Sequence, residues 1–253
     1  MSSAARGGTW TADAWDRYVR RNAHATYLQA TAWARVKAGT GWTSVLVGES
    51  SGEHGALGAQ ILTRPVPAMP WIFAYAPRGP LADEWNDGTH AAWQRVVHSA
   101  ALAGGPLARA ALLRMDPEVE DSPEVSAALE ESGWRRAHDM QPRRTRIVDL
   151  AEDEASLWSG LRKKWRQYVN KARSNDVIVR DVDPTVETGA FDAFHGVMRE
   201  VSRRTALPLR SAQAFRDVWA AFAPTGESRL LFAESKSGEV EAVLLLVRCG
   251  AKV

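Results

Sequence analysis

Cysteine is almost absent: the 253 residues include one, Cys249. A single thiol excludes an intrachain disulfide and a cysteine-built zinc site, and it suits a reducing cytoplasm. Long apolar runs are missing as well, since no stretch approaches the roughly 20 residues a membrane-spanning helix needs. The first thirty residues contain no apolar h-region, so no secretory leader is expected. Charge of one sign is not in excess either. Lys+Arg 32 against Asp+Glu 30 leaves a net charge of +2, and the protein is not globally basic.

Several signatures are also lacking. There is no GxxxxGKS/T loop, no G-x-G-x-x-G after a strand, no G-x-S-x-G elbow and no H-E-x-x-H. The acyl-CoA signature Gln/Arg-x-x-Gly-x-Gly/Ala, whose backbone N–H groups would cradle a pyrophosphate at a helix N-terminus, is absent too. A P-loop nucleotidase is therefore unsupported and a CoA-dependent acyltransferase is weakened. The histidines, His24, His54, His90, His98, His138 and His195, show no ligand spacing, so no metal site is expected. His90 and His98 can share one side of a helix and are expected at the surface.

What is present is a composition of 45% hydrophobic and 25% charged residues, ordinary for a folded soluble chain. The length allows one large domain or two modest ones. Tryptophan is abundant, with 11 copies. Trp15, Trp33, Trp93, Trp158 and Trp219 sit in helical patterns beside other apolar residues and are expected in cores. Trp42, next to Gly41 in a turn, is a candidate site wall. Charge is concentrated between Arg135 and Arg180, where 12 basic residues face 6 acidic ones. Six of the basic residues, Arg162, Lys163, Lys164, Arg166, Lys171 and Arg173, share one predicted helix. Such an excess attracts phosphate-bearing partners, although a solvated helix face is the plainer explanation.

The pattern along the chain predicts helices at 13–21 and 29–38, the second stopped by Gly39-Thr40-Gly41. Strands follow at 43–47, 56–64 and 71–76. Next come a helix at 89–103, a strand at 110–115, a helix at 123–131 and a strand at 145–150. One long amphipathic helix is expected at 154–173, with Leu157, Leu161, Trp165, Tyr168, Val169 and Ala172 as its apolar stripe. After it come a strand at 177–182, helices at 187–204 and 211–223, and strands at 229–234 and 240–248. Helix, helix, strand, strand thus occurs twice, about 180 residues apart, and two tandem copies of one α/β unit is the economical reading. Domains are expected at 1–150 and 151–253. The second copy stops just after its hairpin, on the continuous apolar run AVLLLV at 242–247. Such a run is typical of a strand buried on both faces, so the chain is expected to be truncated at its C-terminus.

Several segments in order resemble the FemABX family of tRNA-dependent aminoacyltransferases that build peptidoglycan interpeptide bridges. They are Tyr27-Leu28-Gln29 through Trp33-Ala34-Arg35-Val36-Lys37 with Gly41-Trp42, then Tyr75-Ala76-Pro77-Arg78-Gly79-Pro80-Leu81, then Leu113-Arg114-Met115-Asp116-Pro117-Glu118. Gln141-Pro142-Arg143-Arg144-Thr145 leading to Asp149-Leu150, the basic helix, and Arg203-Arg204 through Arg210 to Phe215 continue the series. The resemblance implies an α/β fold of two tandem GNAT-like domains, the second incomplete here. It implies attack by an amino group of a muropeptide, linked to UDP or to lipid, on the ester of an aminoacyl-tRNA. No ATP, CoA or other cofactor is needed, because the ester is already activated.

Residue by residue, the resemblance implies that Lys37 and Arg210 contact the acceptor's phosphates and that Asp116 lies near the acceptor peptide. For Asp116, preceding Pro117, turn capping is an equal rival. The basic helix would hold tRNA, and a lipid-linked acceptor would bring the protein to the inner membrane surface from the cytoplasm. DNA is not an expected partner. This chain has Ala214 before Phe215 where the family can carry tyrosine, which leaves the acceptor open. The family's catalytic lysine falls beyond Val253, so no catalytic residue is assigned. A non-catalytic binding fragment, a tRNA-dependent transferase with a small-molecule acceptor, and a CoA-dependent acyltransferase stand as alternatives.

Overall fold

In the computed structural model, which describes residues 10–253, the chain is mixed α/β. It divides into two units, one built from the chain up to Gln141 together with Arg248–Val253, the other from Pro142–Val247. The division differs from a boundary at 150, and the last six residues belong with the first unit. There Cys249 is buried among Trp15, Tyr18 and Val19.

Strand alternation decides the layering of the first unit. Strand β1 (Thr43–Gly52) pairs antiparallel with β2 (Gly55–Pro65), β2 with β3 (Ile72–Ala76) and with the short β4 (Leu81–Ala82), and β3 runs parallel to β5 (Ala110–Met115). Residues facing each other across a ladder share a face, and successive residues alternate. Val47, Ala59, Ile61 and Ala74 therefore form one face, which packs on Trp93 and Ala92 of helix α3 (Asp87–Leu102). Helices α1 (Ala12–Arg21) and α2 (Thr31–Ala38) belong to the opposite face. There Trp15 donates its indole N–H to the Gln29 carbonyl at 2.7 Å, and the Tyr18 hydroxyl donates to the Ala56 carbonyl at 3.1 Å. Helix α4 (Pro123–Glu131), capped by Ser122, completes the unit.

One element of α3 departs from expectation. His90 is buried rather than exposed, its ring 5.4 Å from that of Trp85. Among the described residues neither ring nitrogen has a hydrogen-bond partner. Burial pushes its imidazole below the ordinary histidine value, against the opposing pull of Asp87. A neutral folded histidine and a protonating unfolded one make stability full above about pH 6.5 and falling as pH drops below it, by up to about 1.4 kcal/mol per pH unit. Urea unfolding at pH 7.5 and 5.5 should show this loss, and His90→Phe should remove the part due to this residue.

In the second unit, β6 (Ile178–Val182), β7 (Ser228–Glu234) and β8 (Val240–Val247) form an antiparallel sheet with β7 in the middle. Phe194 of α7 (Ala190–Thr205), with Phe215 and Trp219 of α8 (Ala212–Phe222), covers Leu230 and Phe232 on one face. Arg180 is gripped by Glu187 and Glu234 at 2.7 and 2.8 Å. The helix–helix–strand–strand order of the first unit, α1, α2, β1, β2, thus recurs as α7, α8, β7, β8.

Three sequence expectations fail here. No strand forms at 145–150; Ile147, Val148 and Leu150 are exposed, because an apolar segment becomes a strand only where a ladder partner satisfies its backbone. The long helix is two, α5 (Glu154–Gly160) and α6 (Lys163–Ser174), broken where Leu161 is extended after Gly160. Glycine has poor helix propensity and the apolar period runs on through it, so pattern alone conceals the break. The AVLLLV strand is not buried on both faces among the described residues. It lies at the sheet edge, with Leu244 exposed.

Candidate functional site

In the motif Gln29-x-x-x-Trp33-x-x-x-Lys37, Trp33 and Lys37 lie one turn apart on α2, while Gln29 ends the 3-10 turn Tyr27–Gln29 before it, with Ala30 extended between them. The motif's buried end is anchored. Gln29 is fully buried; its amide donates to the Pro77 carbonyl at 2.7 Å and the Gln60 carbonyl at 3.3 Å, and its oxygen accepts from the Gln60 N–H at 2.8 Å. Gln60 returns the tie, donating to the Ala30 carbonyl at 2.9 Å. A Cβ on Gly79 would lie 2.7 Å from the Gln29 amide nitrogen, so only glycine lets the Ala76–Pro80 loop approach this closely. Trp33, in the middle, is buried.

Lys37, at the other end, is set by the helix stop. The Trp42 N–H bonds the Lys37 carbonyl at 3.3 Å and the Gly41 N–H bonds the Ala38 carbonyl at 3.1 Å, with Gly41 at φ +80. This is the Schellman pattern, in which the residue two past the cap returns to the last turn. Here that residue is Trp42, and its ring comes to lie against Lys37. The Lys37 Nζ stands 5.5 Å from the Trp42 ring centre and 5.8 Å from that of Trp33. Trp42 also meets Phe73 edge to face at 5.9 Å and carries Arg64, whose Cζ is 5.9 Å from the ring centre. The structure thus brings Lys37 and Trp42 together and adds Arg64. An ammonium held between aromatic faces keeps its stem ordered.

Asp116 belongs to a second cluster. It follows β5, and its two oxygens accept from the Arg78 backbone N–H at 2.6 Å and the Tyr75 hydroxyl at 3.0 Å. The Tyr75 hydroxyl in turn accepts from the Gln141 amide at 3.2 Å. Burial lifts the Asp116 carboxyl above its ordinary range against the pull of these donors. Burial, aided by the Asp116 charge and opposed by the Gln141 bond, likewise raises the Tyr75 phenol. Asp116 thereby fastens the loop that carries Arg78, a residue at positive φ. Glu118 accepts from Lys252 at 2.6 Å and lies 3.6 Å from Arg78. Phe73 and Tyr75 are two apart on β3 and share a face, so the two clusters lie about 7 Å apart along that strand at the usual strand rise.

Arg210 lies in the second unit, exposed, immediately before the Ser211 cap of α8. Its carbonyl is 3.2 Å from the His195 ring nitrogen. The six basic residues, five in α6 and Arg162 at its N-cap, divide. Arg166 turns back onto the carbonyls at the end of α5, reaching Leu161 at 2.5 Å and Ser159 at 3.0 Å, and Arg173 stacks over Trp158 at 5.4 Å. These two hold α5 against α6. Arg162, Lys163, Lys164 and Lys171 are exposed, as are Trp165 and Tyr168 of the expected apolar stripe. Among the described residues no group of His, Cys, Asp and Glu is arranged to hold a metal ion, and no helix is long and apolar enough to cross a membrane.

Residues 10–119, which contain Lys37, Trp42, Tyr75 and Asp116, match the FemAB family. The match covers less than half of the chain. The chain is similar to the lipid II:glycine glycyltransferase of Staphylococcus saprophyticus, 25% identical over 232 residues, with 87% of this chain and 54% of that one covered. The protein of the same name from Staphylococcus aureus MRSA252 is 24% identical over 227 residues, covering 85% of this chain and 52% of that one. Among solved structures, a crystal structure of FemX matches with a TM-score of 0.75 at 22% identity, covering 90% of this chain and 57% of the other; it establishes likeness of fold. The chain spans about half the length of the curated relatives it matches. Gln60 and Arg64 lie outside every motif recognised in the sequence. Their only signal is hairpin register, which sets Arg64 beside Trp42.

Proposed function

We propose that this chain is a FemABX-family protein and acts in aminoacyl transfer from a charged tRNA to the stem peptide of a diphosphate-linked muropeptide, soluble or lipid-linked. The observation that carries the proposal is the Lys37–Trp42 pair, locked by the helix stop and anchored from below by Gln29. It supports a rigid cationic seat for phosphate oxygens at the edge of the sheet. Relatives named for glycyl transfer to lipid II favour a muropeptide as the anion that occupies it. Arg210, in the second unit, carries a fork suited to phosphate. The recurrent helix–helix–strand–strand order supports the reading of two tandem GNAT-like domains.

In the reaction, the lone pair of a stem-peptide amine attacks the ester carbonyl carbon of the aminoacyl-tRNA. A C–N bond forms, the ester C–O bond breaks, the ribose hydroxyl leaves carrying the electron pair, and the amine proton passes to it overall. The protein's contribution is to hold donor and acceptor together, worth many orders of magnitude in effective concentration. The exposed cations Arg162, Lys163, Lys164 and Lys171 suit a nucleic-acid backbone. Asp116 acts through the Arg78 loop, shaping the wall beside the acceptor. A lipid-linked acceptor entails peripheral contact with the membrane surface.

The donor is tested by supplying the protein and a muropeptide with charged tRNA, with ribonuclease-treated charged tRNA, or with an aminoacyl-CoA. Transfer only in the first arm is the expected result. Transfer from the CoA ester, or transfer that survives ribonuclease, overturns the tRNA donor.

A further inference from the structure

Helices α7 and α8 are fastened to each other by rings. Phe194 lies 4.9 Å from Phe215 and Phe191 lies 6.3 Å from Trp219, centre to centre. The segment joining the two helices begins at Ala206, which closes α7 in the left-handed region at φ 56. It ends at Ser211, the cap of α8. Two side chains of α7 reach over to this segment. The Ser202 hydroxyl donates to the Leu207 carbonyl at 2.6 Å, near its start. The His195 Nε2 stands 3.2 Å from the Arg210 carbonyl, at its end. His195 and Ser202 are seven residues apart, so they project from one side of α7, two turns from each other.

A carbonyl oxygen only accepts, so in this contact Nε2 carries the proton. The neutral ring protonated at Nε2 and the imidazolium both meet that need, and the tie holds in either state. The next residue is fixed as well, because the Ser211 hydroxyl accepts from the Ala214 N–H at 3.2 Å and caps α8. The peptide between Arg210 and Ser211 is therefore held at its carbonyl and at the residue beyond it. Arg210 itself is exposed. A long exposed side chain loses rotamer freedom when a ligand immobilises it, and a fixed point of departure lowers that cost.

Resting on the functional reading above, in which Arg210 meets phosphate, we propose that His195 is a positioning residue for Arg210. It acts through the Arg210 carbonyl and does not itself touch the ligand. Ser202 holds the far end of the same segment, so that α7 sets the path of the chain into α8.

The test is calorimetric titration of the full chain with UDP-MurNAc-pentapeptide, in the wild type, His195→Phe, His195→Gln, Arg210→Ala and the double variant His195→Phe/Arg210→Ala. Phenylalanine keeps a ring and removes the donor, and should raise the Kd about three- to tenfold, the weight of one neutral hydrogen bond. Glutamine, whose amide nitrogen reaches about as far as Nε2, should recover most of the loss. With Arg210 already replaced, His195→Phe should change the Kd by less than about twofold, because the two residues act as a unit. Without ligand, hydrogen exchange over residues 206–214 should be faster in His195→Phe than in the wild type. Exchange that is unaltered there, or a Kd loss of equal size with and without the Arg210 side chain, overturns the role of His195 alone. An Arg210→Ala variant that binds as the wild type does, or a wild-type chain that binds no muropeptide, overturns the functional reading at Arg210, and the role of His195 with it.

Discussion

Replacing Gln29 with leucine is expected to lower the stability of the first unit by about 3 kcal/mol or more. The side chain is fully buried, and its amide satisfies the Pro77 carbonyl, the Gln60 carbonyl and the Gln60 N–H. Leucine has similar bulk but offers no polar atom, so the Pro77 carbonyl and the Gln60 N–H are left buried without these partners. Each such loss costs about 1–3 kcal/mol, because the group was desolvated on folding and receives nothing in return. The extra apolar burial of leucine offsets only part of this. The melting temperature should fall by roughly 6–12 °C, at 2–4 °C per kcal/mol for a chain of this size. Scanning calorimetry reads the shift, and a fall of less than about 2 °C would show that Gln29 is not the clamp described here.

Replacing Lys37 with alanine should have its largest effect on binding rather than on stability. The ammonium lies over the Trp42 and Trp33 rings at the edge of the sheet, and the residue is only half-buried. Its removal should raise the Kd for a diphosphate-linked muropeptide by about 10- to 100-fold, the usual weight of a charge-assisted hydrogen bond to phosphate. Melting should change little by comparison, because the Schellman closure uses the Lys37 carbonyl, which alanine retains. Lys37→Arg should restore charge but not the fit between the two indoles. Binding that is indifferent to Lys37→Ala would remove Lys37 from the site.

The contrast between these two residues explains what could be read from the sequence. Trp33 and Lys37 recur at helical spacing and Gly41 marks the stop, so α2 and its close were legible, although the helix begins at Thr31 and Gln29 falls in the 3-10 turn before it. Strand 110–115 and helix 123–131 were also legible, because each is a short apolar pattern bounded by turn residues. What pattern cannot supply is partnership. Residues 145–150 are apolar enough for a strand but find no ladder. Leu161 and Trp165 keep the helical period across a break that Arg166 then caps. His90 has the spacing of a surface residue and is buried against Trp85. Arg64 becomes visible only once the pairing of Thr43 with Thr63 is known. For Asp116 the sequence left two roles open, and its bonds from the Arg78 N–H and the Tyr75 hydroxyl could not be read from the motif.

The most direct measurement of the central claim is the mass of a diphosphate-linked muropeptide after incubation with this chain and a mixed pool of aminoacyl-tRNAs. The account predicts a gain of one aminoacyl residue on the stem peptide, reduced in proportion to lost affinity by Lys37→Ala. An acceptor that keeps its original mass with every aminoacyl-tRNA in the pool would contradict it.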